Sequence, residues 1–311
     1  MLLLAVTLLQ TITLQADVHH VQGIVVDGDH LYVTSVDRDA RKGLLSDFSL
    51  PSGTLIRSVE IQQGDLYHPG GLDHDATSLW IPVAEYRANS RAVIQRRSKK
   101  TLELISSFEV PDHVGGLALA TASVYLVNWD ARDFYSYSLD GKFLSKAPNP
   151  NGTRYQDIKF RGGMVIASGL NPKPTPGGAV EWLKPGTLTS TRRLEFQLTD
   201  RGTPLNNEGM DLAGDRLYLL PEDSPSRLFV FMVGWGAGAA LEGPSQRLRD
   251  GGTQLFAFSA IQKISLSRFG QDTRGFARRS ASYRCCLDGS LARRQRSAAF
   301  LDATTLFGFS K

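Results

Sequence analysis

One layout recurs five times along this chain, and the recurrence constrains the fold more than any bulk property does. The segments read HVQGIVVDGDHLYVTSVDR from His20, HPGGLDHDATSLWIPVAEYR from His68, HVGGLALATASVYLVNWDAR from His113, RYQDIKFRGGMVIASGL from Arg154 and NNEGMDLAGDRLYLLPED from Asn206. Aligned on the apolar residue after the glycine position (Ile24, Leu72, Leu117, Ile158 and Met210), they lie 48, 45, 41 and 52 residues apart. A period of roughly 40–50 residues is that of a propeller blade. Inside each unit a short apolar run meets a tight turn such as DGDH. An alternating β-branched and aromatic run follows, such as LYVTSV or VYLVNW, which is the pattern of a half-buried strand. A third run (AVIQRRS, DFYSYSL, AVEWLKP) ends in a Gly- or Lys-rich reversal, and a fourth (LIRSVEI, LELISSFEV) closes most units. No amphipathic helix interrupts the series. The expectation is an all-β protein: a β-propeller of four-stranded antiparallel blades with five recognisable repeats, and six blades if the C-terminal segment builds one.

The chain then divides into residues 1–16, 17–231 and 232–311. The first stretch, MLLLAVTLLQTITLQA, reads either as a signal peptide cleaved near Ala16 or as a strand that closes the ring, and it lacks a positively charged start. The first reading places the protein outside the cytoplasm, secreted or in the cell envelope; the second leaves it cytoplasmic. The fifth unit loses its pattern after its third strand, so a fourth must come from elsewhere. TITLQ at the N-terminus and Thr253–Ile264 are the two donors. From Met232 onward ten Arg and two Lys face five acids, a net of +7 within a chain of net charge +4, so the preceding residues carry −3. The basic character therefore belongs to the tail and is no argument for nucleic-acid binding by the repeats. Both cysteines, Cys285 and Cys286, lie in the tail too, so cysteine usage does not report the redox compartment. No run is long and apolar enough to span a bilayer as a helix. A monomer is expected.

Glycine before each anchor has a physical reason in this fold. The innermost strands crowd around the axis, and a Cβ would block their approach. Three residues before the glycine position stand His20, His68, His113, Arg154 and Asn206; one residue before it stand Gln22, Gly70, Gly115, Gln156 and Glu208. The second strands end at Asp37, Glu85, Asp130, Asn171 and Glu222–Asp223. Strands one and two are antiparallel, so both sets belong at one opening of the hub. Glu208, His68 and Glu85 are the candidate catalytic residues: a carboxylate as general base and an imidazole as proton shuttle. His20, His113, Arg154, Gln156 and Gln22 are the candidate ligand-binding residues, with Arg154 suited to an anion. A divalent metal on imidazole and carboxylate groups is the cofactor such a set would take, its identity left open. The same polar residues could instead tie neighbouring blades by hydrogen bonds.

Beside this stands a resemblance. The stretches HHVQGIVV, YHPGGLDHD, VAEYR, VIQRR, NWDAR, YQDIKF and NEGMDL…LYLLPEDSPSRLFVF, spanning His19 to Phe231, resemble a mostly bacterial family of propellers built on a domain of unknown function. It implies the fold and brings no catalytic residues. More distantly the layout is similar to the lactonase and arylesterase propellers, which place a calcium ion on the axis with acid and amide ligands; histidines stand here instead. The leading expectation is a propeller that binds a small polar ligand in an axial pocket. A metal-assisted hydrolase of esters or lactones and a protein–protein scaffold are the alternatives.

Overall fold

The computed structural model describes residues 5–234, and these form five antiparallel sheets, one per sequence repeat, arranged as a five-bladed β-propeller. A sixth blade built by the tail, and the closing segment Thr253–Ile264, fall outside the described residues. The innermost strands are His20–Asp27, Leu66–Pro69 continued by Asp73–His74, Val114–Leu119, Arg154–Arg161 and Glu208–Ala213. Each pairs with the strand after it, and the next two follow outward in chain order in blades one to four. In the fifth blade the outermost place is taken by Ala5–Thr13, which pairs antiparallel with Arg227–Gly234. Of the two readings of the N-terminal run, the fold uses the closing strand. No helix among the described residues is long and apolar enough to cross a membrane.

The burial pattern explains the sequence pattern. Inner blade strands are covered on both faces by their neighbours, so they carry near-continuous apolar runs: Ser78–Glu85 is buried at every position but the last. Outermost strands have one face in water, and Leu55–Glu60 is exposed or half-exposed throughout. Five separate apolar cores result, one at each junction between blades. Val21, Ile24 and Phe48 of blade one meet Tyr218, Leu220 and Val230 of blade five across the closure. The opposite face of blade five packs Leu219 and Phe231 against Trp182 and Phe196 of blade four.

At the axis the inner strands of different blades approach closely, and backbone amides there need acceptors. Buried carboxylates supply them. Asp157 of blade four accepts from Ile24 N of blade one (3.1 Å) and Met210 N of blade five (3.0 Å), and its other oxygen is paired with Lys159. Asp73 of blade two accepts from Leu119 N of blade three (2.9 Å) and Phe160 N of blade four (3.1 Å). Asp211 of blade five accepts from Val26 N of blade one (2.8 Å), and Arg161 joins Asp73 to Asp211 at 2.8 and 2.9 Å. Every blade is thereby tied to another by a charge-assisted bond. The glycines have the expected cause: a Cβ on Gly23 would stand 2.5 Å from Gly71 Cα, and one on Gly71 would run into the Asp157 carboxyl group, 2.8 Å from its Cγ. Gly71 is close enough to blade three to exchange main-chain bonds with it, donating to Gly115 O (2.8 Å) and accepting from Leu117 N (3.0 Å). The hub is filled at this level, three residues along the strand from His20, His68 and His113.

Candidate functional site

The histidines open the inner strands of blades one, two and three, so rotation about the axis brings them round one mouth. His68 is the central member. Its ring centroid lies 5.1 Å from that of His113, 4.4 Å from Tyr86 and 6.1 Å from Trp129. Trp129 stands edge-on to His113 at 4.7 Å, and Tyr86 stands edge-on to His20 at 6.5 Å. Tyr86 directly follows Glu85, and Trp129 directly follows Asn128 at the end of the second strand of blade three. Each thus sits beside the acids that the strand register had already brought to the opening. The sequence reading left them out because aromatics in this pattern read as core. The guanidinium of Arg38 lies over the Tyr86 ring, 5.7 Å from its centre.

The three imidazoles differ because their neighbours differ. His113 Nδ1 faces two main-chain carbonyls, Glu85 O at 3.0 Å and Arg87 O at 3.1 Å. Carbonyls only accept, so Nδ1 carries the proton and Nε2 keeps its lone pair. Burial holds His113 down to about 4, against the pull of those carbonyls. His68 is 6% exposed, and its Nδ1 has no hydrogen-bond partner among the described residues. Burial, and then the other imidazoles of the mouth, push its pKa well below the ordinary value, so it is neutral. His20 behaves oppositely: burial opposes its protonation, but the carboxylates of Glu222 and Glu208 outweigh burial and raise it. His20 Nδ1 lies 2.9 Å from Glu222 Oε1 but out of line for a straight N–H···O bond. Glu208 is 4% exposed and holds a backbone φ of +127°, a region that residues with side chains rarely occupy.

The other predicted residues are spread around the rim. Glu85 gives its side chain to Arg87 (2.6 Å) and Arg91 (3.5 Å), and reaches the mouth through its carbonyl on His113. Arg154 is half-buried, 3.8 Å from Asp130. Gln22 turns its amide onto Val21 O at 2.8 Å, and Gln156 is half-buried. Asn206 is buried and donates to Ser168 Oγ at 2.9 Å, and its own oxygen has no hydrogen-bond partner among the described residues. The pair Glu222–Asp223 divides its duties: Glu222 faces His20, whereas Asp223 holds Arg227 and Arg201. One-residue-out His19 lies 4.0 Å from Asp37, near a cleft of about 380 Å³ that His19 and Glu222 line together with residues 223–226.

Residues 6–154, from the closing strand through blade three, match the model of DUF6454, a family of unknown function. Over that stretch, a little under half of its length, the chain is similar to this family. Among solved structures it is similar to the glutaminyl cyclase of Myxococcus xanthus, with a TM-score of 0.57 at 14% identity, over 74% of this chain and 97% of that one. It is also similar to virginiamycin B lyase from Staphylococcus aureus, with a TM-score of 0.43 at 12% identity, over 74% and 99% of the respective chains. At such identity the first likeness shows the fold alone. No curated protein matches the sequence.

Proposed function

We propose that the propeller binds a small polar ligand at the mouth of its hub, with His68 at the centre of the contact. The observation that carries this reading is the His68 imidazole: buried, neutral and with Nδ1 unpartnered among the described residues. A buried ring nitrogen without a partner costs roughly 1–3 kcal/mol, which a ligand atom would recover. The neutral imidazole of His113 adds an Nε2 acceptor, Tyr86 and Trp129 add flat apolar walls, and Glu208 and Glu222 add negative charge. Acceptors, aromatic faces and carboxylates together favour a ligand that donates hydrogen bonds from an amine or amide. The likeness to a glutaminyl cyclase makes glutaminyl peptides the first such compounds to try. A protonatable His20 beside a neutral His68 also suits proton transfer on the bound molecule.

Calorimetric titration with a panel of amine- and amide-bearing compounds, glutaminyl peptides among them, tests the reading. At least one should bind with a stoichiometry of about one, because the ligand occupies one mouth of the hub, and His68→Ala should weaken it roughly tenfold or more. Binding that is unchanged in His68→Ala and in His113→Ala, both shown to be folded, would rule the mouth out.

A further inference from the structure

We infer that His20, Glu208 and Glu222 form a site for a divalent transition-metal ion at the edge of the hub mouth. The inference rests on the reading of that mouth as a binding site. One ligand atom from each of the three residues lies within 4.8 Å of the others. They come from two blades that meet only across the ring closure: His20 begins the inner strand of blade one, Glu208 begins that of blade five, and Glu222 follows the second strand of blade five. Nothing in the local sequence requires one imidazole and two carboxylates to meet there.

The second observation is the state of His20. It is 9% exposed, and its Nδ1 faces Glu222 Oε1 at 2.9 Å in an ion pair that lacks the alignment of a straight hydrogen bond. An imidazole nitrogen and a carboxylate oxygen at that spacing hold a proton between them, and a divalent cation can take that proton's place. They are well spaced for a shared cation. Zn–N and Zn–O bonds of about 2.0–2.2 Å put neighbouring ligand atoms roughly 3.0–3.4 Å apart in octahedral or tetrahedral geometry. Modest side-chain rotation would bring Glu208 into the same sphere. Arg38 stands 3.9 Å from Glu222 and is itself nearly half-exposed.

The donor set selects the ion. A buried imidazole nitrogen disfavours calcium and magnesium, which take oxygen, and suits Zn²⁺ or Mn²⁺. Two carboxylates would neutralise the ion's charge. Three protein ligands leave at least one coordination position open, as catalytic rather than structural zinc sites do. A ligand in the mouth beside His68 would lie next to that open position.

The experiment is titration of metal-stripped full-length protein with Zn²⁺ by calorimetry and with Mn²⁺ by electron paramagnetic resonance. The background is Cys285→Ser/Cys286→Ser, so that thiols do not contribute. One tight site is expected, with Ca²⁺ and Mg²⁺ at the same concentration failing to compete. His20→Ala and Glu222→Gln should each weaken it by roughly tenfold or more, since even losing an outer-shell partner costs about that much. Glu222 is 39% exposed on its side chain, so its amide variant should keep the fold, which circular dichroism checks. Absence of saturable binding, or binding that both variants leave unchanged, overturns the assignment. His68→Ala separates this inference from the preceding one: it should weaken binding of the organic ligand roughly tenfold or more and leave Zn²⁺ affinity intact.

Discussion

Replacing Asp157 with Asn asks whether the buried hub carboxylates hold the ring together. One Asp157 oxygen accepts both interblade amides, Ile24 N and Met210 N, and the other faces the ammonium of Lys159. Both side chains are 0% exposed. An asparagine has one oxygen and one NH₂. If the oxygen keeps the two amides, the NH₂ points at a buried ammonium; if it keeps Lys159, the NH₂ points at two N–H donors. Either way donors oppose donors, and the Lys159 charge loses its counter-ion. Removing one partner of a buried ion pair costs roughly 3–5 kcal/mol. The assay is urea unfolding of the full chain at pH 8, because burial pushes the Asp157 carboxyl up to about 7 and the comparison requires the ionised form. A midpoint shift worth about 3 kcal/mol or more is expected, and Asp157→Asn/Lys159→Met should recover a large part of it, since the stranded ammonium is then gone. A single variant that loses less than about 1 kcal/mol, or a double variant no better than the single, would refute the claim that the Asp157 carboxylate, paired with Lys159 on its own strand, clamps the blades at the hub.

Two other outcomes follow from the same structure. His113 is held at about 4 by burial, against 6.5 in the unfolded chain, so its contribution to stability is full above pH 6.5. That contribution is lost progressively as pH falls toward 4, where the unfolded state has taken up a proton and the folded state has not. The loss is about 3 kcal/mol at 1.36 kcal/mol per unit, so urea midpoints measured from pH 7 to 4 should fall more steeply for the wild type than for His113→Gln. Equal slopes would contradict the buried neutral imidazole. Deleting residues 1–13 removes the strand paired with Arg227–Gly234 and bares that edge of blade five, along with the core contact of Ile12. The truncated chain should melt earlier and self-associate on gel filtration; a monomer of unchanged melting temperature would mean that the closing strand is dispensable.

The blades were legible because their signals are local. Alternation, turn residues and a fixed period identify each four-stranded unit without reference to the others, and the observed inner strands begin at His20, Arg154 and Glu208, inside the repeats read from sequence. The closure was not legible, because pairing Ala5–Thr13 with Arg227–Gly234 joins residues more than 200 positions apart. Two segments were equally suitable on pattern. The mouth was legible as far as symmetry carries: equivalent positions on successive blades had to face one opening, and His68 and His113 do meet. What escaped were residues one step out of that register, Tyr86 and Trp129, and the charges inside the strands. Asp157 stood where other blades have glycine, and the repeat pattern assigned no role to Lys159 or Arg161. The partners of Asp157 and Arg161 are amides and acids of other blades, which only the curvature of the ring brings within reach, and Lys159 pairs with Asp157 on its own strand.

Blade symmetry therefore accounts for position, and blade-specific neighbours account for chemistry. His20, His68 and His113 occupy the same place in three successive units, yet one faces carboxylates, one has no hydrogen-bond partner at Nδ1 among the described residues and one is fixed by main-chain carbonyls. If these residues served only to join blade corners, the same corner contact would satisfy each in the same way, and the fourth and fifth blades would carry histidine too. They carry Arg154 and Asn206 instead, and the acids that accompany His20 come from blade five. A ring whose members differ around its circumference presents a directional surface, with aromatic faces and neutral imidazoles on one side and carboxylates on the other. Such a surface would orient an asymmetric guest in one way, and that is the property on which a binding site at the hub mouth depends.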